Sequence, residues 1–376
     1  GGPGGRATPR LTREIPGLRV DHGVPSFAAH TPRFSSLCTS LVARNALQCC
    51  SSAGSLTFGQ LKADGTFEAE DAAAAPRRYC APEGKGMSTL CEALLRGDDE
   101  TKLAYTTLST MVSKVEASAS EPPQWRLTSK SGTDLGTFDW LVISSTGIAH
   151  PRWRSTFGGE PPLVQAALSL NDPALDSALV ALAPLTAKPV TAALLAYEGD
   201  AAAAWGSLPF YKAWVEDDPT LSRIVVQRIS PTLTTVVLHS THAFAESSAH
   251  VYGATSTAAR LAGAKSDKGE EQRVLDAMLN AAENRLDGLL NTSIASIRSP
   301  AWGPHLHRWG SAFPDSPLLP EANAVVPSAR VAFCGDFVEV GGAEGRGGSV
   351  EGAALSGLRL AQALKSQIEG VDALEL

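Results

Sequence analysis

The sequence lacks the features that would announce a chemistry by themselves. Its six cysteines, Cys38, Cys49, Cys50, Cys80, Cys91 and Cys334, form no C-x-x-C pair and no Cys/His spacing suited to zinc. The adjacent Cys49 and Cys50 read as structural or incidental rather than as a redox pair, and a reducing compartment is the default expectation. No basic excess exists. A net charge of −7, with 19% charged residues, offers no field for nucleic acid or an anionic membrane. No apolar run reaches the length of a membrane span, and the opening residues carry no signal-peptide h-region. The compartment is otherwise open, since a targeting segment ahead of residue 1 would not be seen. No repeat of solenoid length is visible. No metal-binding cluster, Ser–His–Asp order or paired-carboxylate motif stands out.

What is present is enough apolar residue for a large core: 43% of 376 residues, a length that suggests about two domains. Apolar runs predict strands at 138–144, 223–229, 234–240 and 330–334, and the spacer SPTL predicts that the middle two form an antiparallel hairpin. A helical stripe over 270–290 places Val274, Met278, Leu279, Ala282, Leu286 and Leu289 on one face. A second helix over 350–367 is expected to turn Ala354, Leu358, Ala361 and Leu364 inward, and a third over 86–97 ends on Gly97 as a C-cap. Strands and helices alternate toward both ends, with a strand-rich middle, so the expected class is α/β with an α+β insertion.

Two glycine-rich stretches carry the candidate chemistry. The chain opens GGPGGRATPR, in which Gly2, Gly4 and Ala7 satisfy G-x-G-x-x-G/A, but no strand precedes them and Pro9 follows at once. Read alone, the motif is linker. Near the other end, RVAFCGDFVEVGGAEGRGGSVEGAALSG (330–357) reads as a buried strand, a carboxylate at its tip, a glycine-rich loop and a helix start. Asp336 there suits a ribityl or ribose hydroxyl. The helix start offers N–H groups and a partial positive charge, which would stabilise an anion on a flavin's pyrimidine ring. Gly352, Ala353 and Gly357 leave room for close approach. The alternative is an ordinary strand–loop–helix with Asp336 capping a turn.

Further segments extend this in order along the chain: GGRATPR (4–10), DHGVPSF (21–27), PRF (32–34), RYCAPEGKGMSTLCEAL (78–94), WRLTSKSG to FDWLVIS (125–144), VLHST (237–241) and HRWGSAFP (307–314). Together with CGDF and VEGAALSG they resemble the renalase-like branch of the flavin-containing amine oxidase superfamily. The resemblance implies a glutathione-reductase-like FAD/NAD(P)-binding Rossmann domain comprising 1–30, 78–150 and 325–376, with a substrate domain of 31–77 and 151–324. Relatives carry a strand, a G-x-G-x-x-G turn and a helix ahead of the GGR segment. The opening glycines therefore correspond to the second half of a dinucleotide site, the Rossmann domain is expected to lack its N-terminal elements, and residues 1–376 alone are expected to hold FAD poorly.

For individual residues, the resemblance implies FAD contacts from Gly4, Gly5, Arg6, His22, Gly23, Gly335, Asp336, Val350, Glu351, Gly352 and Ala353. Arg6 would fork onto phosphate, and Glu351 is read first as a partner of the helix dipole. Trp309 would wall the substrate against the flavin, with His307 and Arg308 flanking it. His239 is a pocket candidate, while His239 and His242 are otherwise structural residues of one strand. The implied reaction is hydride transfer from an aberrant or isomeric reduced nicotinamide nucleotide to flavin, with dioxygen as acceptor and hydrogen peroxide as product. Alternatives are amine oxidation, marked by an aromatic cage, and a non-catalytic subunit or assembly factor. The 341–349 loop, which lengthens the link from CGDF to VEGA, is in keeping with the last.

Overall fold

In a computed structural model of the chain, all residues are described except 1, 51–55, 97–103, 254–262, 264, 266, 292–294, 342–345 and 370–376. Packing divides the chain into two compact units, Gly1–Thr106 with Pro189–Ala312 (unit 1) and Thr107–Lys188 with Phe313–Leu376 (unit 2).

In chain order, unit 1 begins with β1 (Arg10–Leu11), β2 (Arg19–Val20), β3 (Ser26–Ala29), β4 (Gln48–Cys49), β5 (Phe58–Leu61), β6 (Phe67–Ala69) and β7 (Arg77–Cys80). Unit 2 begins with β8 (Val112–Ala117), β9 (Trp125–Ser129), β10 (Asp134–Phe138) and β11 (Leu141–Ile143). Then come β12 (Ala187–Glu198), β13 (Lys212–Val215), β14 (Leu221–Ser230), β15 (Leu233–Ser240) and β16 (Trp302–Pro314), and finally β17 (Val325–Val326) and β18 (Val331–Phe333). The chain is mixed α/β, as expected.

Unit 1 is built on a seven-stranded mixed sheet of order β16-β12-β15-β14-β13-β5-β6, in which β13 and β5 run parallel. The expected hairpin is its centre: β14 and β15 pair antiparallel, with Ser230 opposite Leu233 across a Pro231–Thr232 turn. Alternation separates the two faces. Ala193, Leu195, Tyr197, Ile224, Val226, Val236 and Leu238 point into one core. Trp205 and the helix Lys268–Leu286 cover them through Val274, Leu275, Met278, Leu279, Ala282 and Leu286, close to the predicted stripe. The opposite face carries polar residues, among them Gln227, Thr235 and His239, that are nevertheless buried. A smaller sheet, β3-β7-β4, and the ribbon β1–β2 complete the unit.

Unit 2 combines an antiparallel meander, β10-β9-β8, with a sheet β11-β18-β17 in which β11 and β18 are parallel. The run predicted as one strand at 138–144 is broken at Asp139 and Trp140, so Phe138 ends the meander and Leu141 starts the parallel pair. Short helices Pro162–Leu170 and Pro173–Leu182 supply Leu163, Leu175 and Ala178 to a core shared with Trp125 and Phe333. Trp125 Nε1–H donates to the Ala329 carbonyl at 2.9 Å, which makes its burial affordable.

Two helix expectations need correction. The C-terminal helix, Val350–Glu369, buries Glu351, Gly352, Leu355, Ser356 and Leu360, whereas Ala361 is exposed and Ala354 and Leu358 are half-buried. The stripe is shifted because Ser356, a polar residue, faces the segment that follows β18. Its hydroxyl accepts from Gly335 N–H at 2.8 Å and so belongs on the inner face. The helix expected over 86–97 covers Ser88–Leu94, and Gly97 lies outside the described residues.

Candidate functional site

In unit 1 the candidate residues meet over the polar face of the sheet. The segment after β2 is fastened there by three side chains. Gln227 Oε1 accepts from Asp21 N–H at 3.3 Å, His239 Nε2–H donates to the His22 carbonyl at 2.7 Å, and Tyr211 Oη–H donates to the Pro25 carbonyl at 2.8 Å. Gln227 Nε2–H also donates to Tyr211 Oη at 3.2 Å, tying two of the fasteners together. Backbone without a ladder of its own is thereby satisfied inside the protein.

The GGR turn packs onto this segment. Gly4 and Gly5 take φ of 101° and 53°, conformations that favour glycine, and the Ala7 N–H closes the turn on the Gly4 carbonyl at 2.9 Å. At Gly23 a Cβ would overlap the Arg6 carbonyl and come within 3.2 Å of Trp309 Cζ2, so only glycine lets turn, segment and indole meet. The Arg6 guanidinium donates to the Ala312 carbonyl. Beside it the rings of His22, His307 and Trp309 form one cluster. His22 stacks on Trp309 at 5.2 Å and 27°, and His307 stands edge-on to Trp309 at 4.4 Å and to His22 at 4.5 Å.

These imidazoles are neutral at physiological pH. Burial pushes His22 down to about 4, against the bond its Nδ1–H donates to the Val20 carbonyl at 3.2 Å. Burial, then the neighbouring His22, pushes His307 down to about 3. His239, 2% exposed, is held well below the usual range by burial and then by Arg223. Since His239 Nε2–H donates to a carbonyl, its Nδ1 carries the lone pair. His239 Nδ1, His307 Nδ1 and Trp309 Nε1 are buried and have no hydrogen-bond partner among the described residues. Arg308, the other flanking residue, places its guanidinium over the Tyr252 ring at 5.7 Å. His242 is not on the strand with His239. It opens the helix His242–Ser247, capped by Thr241, and its Nδ1–H donates to the Pro189 carbonyl at 2.9 Å.

The same sheet face holds residues that sequence reading passed over. In the strand register Arg223 pairs with Trp214 on β13 and with His239 on β15, and Lys212 lies two residues from Trp214, so all four share a face. Lys212 Nζ sits 4.8 Å from the Trp214 ring, and the Arg78 guanidinium lies over Phe58 and Trp214 at 4.6 and 5.2 Å. Burial, followed by Arg223 and Arg78, pushes Lys212 down to about 7, and burial pushes Arg223 down to about 10. The available signal was a cation inside an apolar strand run, as in RIVVQRI.

In unit 2 the candidates also converge. β18 leads through Cys334 to Gly335, at φ 134°, where a Cβ would crowd the Phe337 ring at 2.8 Å. Asp336, 8% exposed, follows, and its carbonyl accepts from Gly348 N–H at 3.0 Å. The strand tip is thus joined to the start of the Val350–Glu369 helix. Ser349 caps that helix: its Oγ accepts from Gly352 N–H at 2.9 Å, and its carbonyl from Ala353 N–H at 3.1 Å. Glu351, 1% exposed, is ion-paired with Arg346 Nη1 at 3.0 Å, and a Cβ on Gly352 would overlap the Arg346 carbonyl. Arg346 comes from the lengthened loop, of which 342–345 lie outside the described residues. That loop packs its described end onto the helix start. No group of metal-ligating side chains is found among the described residues, and none of the helices searched is long and apolar enough to cross a membrane.

No protein-family model matches the chain, and no curated protein matches it. Solved structures similar to it include CmlS, a flavin-dependent halogenase, with a TM-score of 0.42 and 12% identity over 92% of this chain and 52% of that one. Another is the Diels-Alderase PyrE3 of pyrroindomycin biosynthesis, at 0.42 and 12% over 92% and 60%. A putrescine oxidase redesigned in its cofactor binding gives 0.41 and 13% over 77% and 54%. The chain spans between 52% and 60% of the length of these proteins.

Proposed function

We propose that the protein is an FAD-dependent oxidoreductase that oxidises a reduced, anionic donor of nicotinamide type and uses dioxygen as acceptor. The observation that carries this reading is the junction in unit 2, where the backbone of the strand end at Gly335 and Asp336 is tied to Ser356 and to Gly348, just ahead of a helix start capped by Ser349. With Asp336 on a strand end joined to a helix start, its carboxylate would suit a cofactor hydroxyl next to a developing anion. Unit 1 supports the reading independently, because buried ring nitrogens without partners beside a flat indole wall fit a planar polar ligand better than a finished core.

Bound flavin would supply acceptance of hydride and its return to dioxygen as hydrogen peroxide. On this chain, Arg6 and the N–H groups of Gly4 and Gly5 would hold phosphate. Gly23 and the His22 backbone would line the cofactor. Taken by itself, unit 2 would offer Gly335, Asp336 and the helix start at Val350 and Glu351 to a hydroxyl and a ring edge, the Gly352 and Ala353 N–H groups being engaged by Ser349. Neutral His22 and His307 would leave the wall uncharged, so they orient substrate without taking a proton. In this reading residues 1–30, 78–150 and 325–376 serve the cofactor, and 31–77 with 151–324 serve the substrate. Arg223 and Arg78, the second ion-paired with Glu70 at 2.8 Å, favour a phosphate-bearing donor over an amine, with Lys212 only partly charged near pH 7.

The test is a titration of FAD with protein isolated from its source, following quenching of flavin fluorescence. Saturable binding is expected, weakened on the order of tenfold in Asp336→Ala through loss of a charge-assisted hydrogen bond. Absence of binding by the source protein, or unchanged affinity in the variant, would overturn the reading.

A further inference from the structure

Cys50 and Cys80 lie far apart in sequence but are neighbours in the small sheet of unit 1. β4 and β7 pair with Gln48 opposite Cys80 and Cys49 opposite Tyr79, and Cys50 N–H donates to the Arg78 carbonyl at 2.9 Å, which continues the ladder. Alternation then puts Gln48, Cys50 and Cys80 on one face and Cys49 on the other. Both thiols are buried, Cys50 at 1% and Cys80 at 3% exposure.

Cys80 also lines a cavity of about 520 Å³ with Asp21, Gln48, Lys85, Tyr211 and Gln227. Two donors converge on its sulfur: Gln48 Nε2–H at 3.3 Å and the Cys50 thiol. These favour the Cys80 thiolate and lower its pKa, while the same contact, with burial, raises that of Cys50. The pair is asymmetric: one sulfur is a poised nucleophile facing a cavity, and the other is a proton-bearing neighbour behind it.

We infer that Cys80 and Cys50 are a peroxide-reactive dithiol, with Cys80 as the attacking sulfur and Cys50 as the resolving one. The Cys80 thiolate attacks one oxygen of hydrogen peroxide. The S–O bond forms, the O–O bond breaks, and hydroxide leaves to take a proton as water. The Cys50 sulfur then attacks the Cys80 sulfenic acid. The S–S bond forms, the S–O bond breaks, and the Cys50 proton departs with the hydroxide as a second water. One peroxide is reduced and two thiols are oxidised. Thiol–disulfide exchange with a reduced thiol restores the pair. The inference does not depend on the flavin reading, because peroxide from any source serves.

The experiment treats the isolated protein with equimolar hydrogen peroxide, blocks remaining thiols with iodoacetamide, and maps peptides by mass spectrometry without reductant. The expected product is a cross-link between the peptides carrying Cys50 and Cys80, two hydrogens lighter than their sum and reversed by dithiothreitol. Cys49→Ser keeps the cross-link. Cys50→Ser loses it and yields a dimedone adduct on Cys80. Full alkylation of Cys80 while other cysteines oxidise, or a cross-link that Cys49→Ser abolishes, would refute the inference, and the wild-type map alone suffices to decide it.

Discussion

Asp21 shows how one buried group records its surroundings. It is 6% exposed, with Oδ1 accepting from Met87 N–H at 2.9 Å. Burial nevertheless outweighs that bond and the Gln227 contact, and raises its pKa from 3.8 to about 6. The folded chain therefore holds a proton that the unfolded chain has released between those values. The stability Asp21 contributes is fully present below 3.8 and is lost as pH rises through about 6. Asp21→Asn keeps the acceptor and removes the titration. Relative to the wild type it should gain about 3 kcal/mol between pH 3.5 and 7, measured by urea unfolding. A pH-independent offset would contradict this. The depressed imidazoles act in the opposite sense. For His22, stability is present above 6.5 and is lost as pH falls through about 4.

At the scale of elements, periodicity was legible where an apolar face meets an apolar core. The helix Lys268–Leu286 begins where Asp267 accepts from Gly269 and Glu270 N–H at 2.8 and 3.2 Å, with Glu270 and Glu271 in its first turn. Asp267→Ala should cost about 1 kcal/mol in denaturant unfolding, from two donors left to water. Asp267→Ser should recover most of that loss, and equal stability of the Ala variant would show that the cap is idle. The C-terminal helix was placed correctly but turned wrongly, because Ser356 spends its hydroxyl on Gly335 and so faces inward. A hydropathy pattern cannot record that exchange. The fastening of residues 21–25 by Gln227, His239 and Tyr211 was equally hidden, since each side chain lies far along the chain from the backbone it satisfies.

At the scale of the molecule, the central sheet is assembled from distant segments. β13 takes β5 as its parallel neighbour, matching Lys212 with Phe58 and Trp214 with Gln60. A fragment of residues 189–312 would leave that edge of β13 open, and it is expected to aggregate or unfold without cooperativity. Adding residues 1–106 in trans should restore a cooperative transition, and a soluble, cooperatively folding fragment on its own would count against this account. The sequence by itself determined the α/β class, the β14–β15 hairpin and the core face of the Lys268–Leu286 helix. Those follow from local sterics and from spacing along one element. Only the tertiary structure decided that Arg223 and Lys212 share a face with His239, and that Cys80 meets Cys50 while Cys49 points away. Such meetings depend on which strands pair and in what register, a choice made by burial summed over the whole chain.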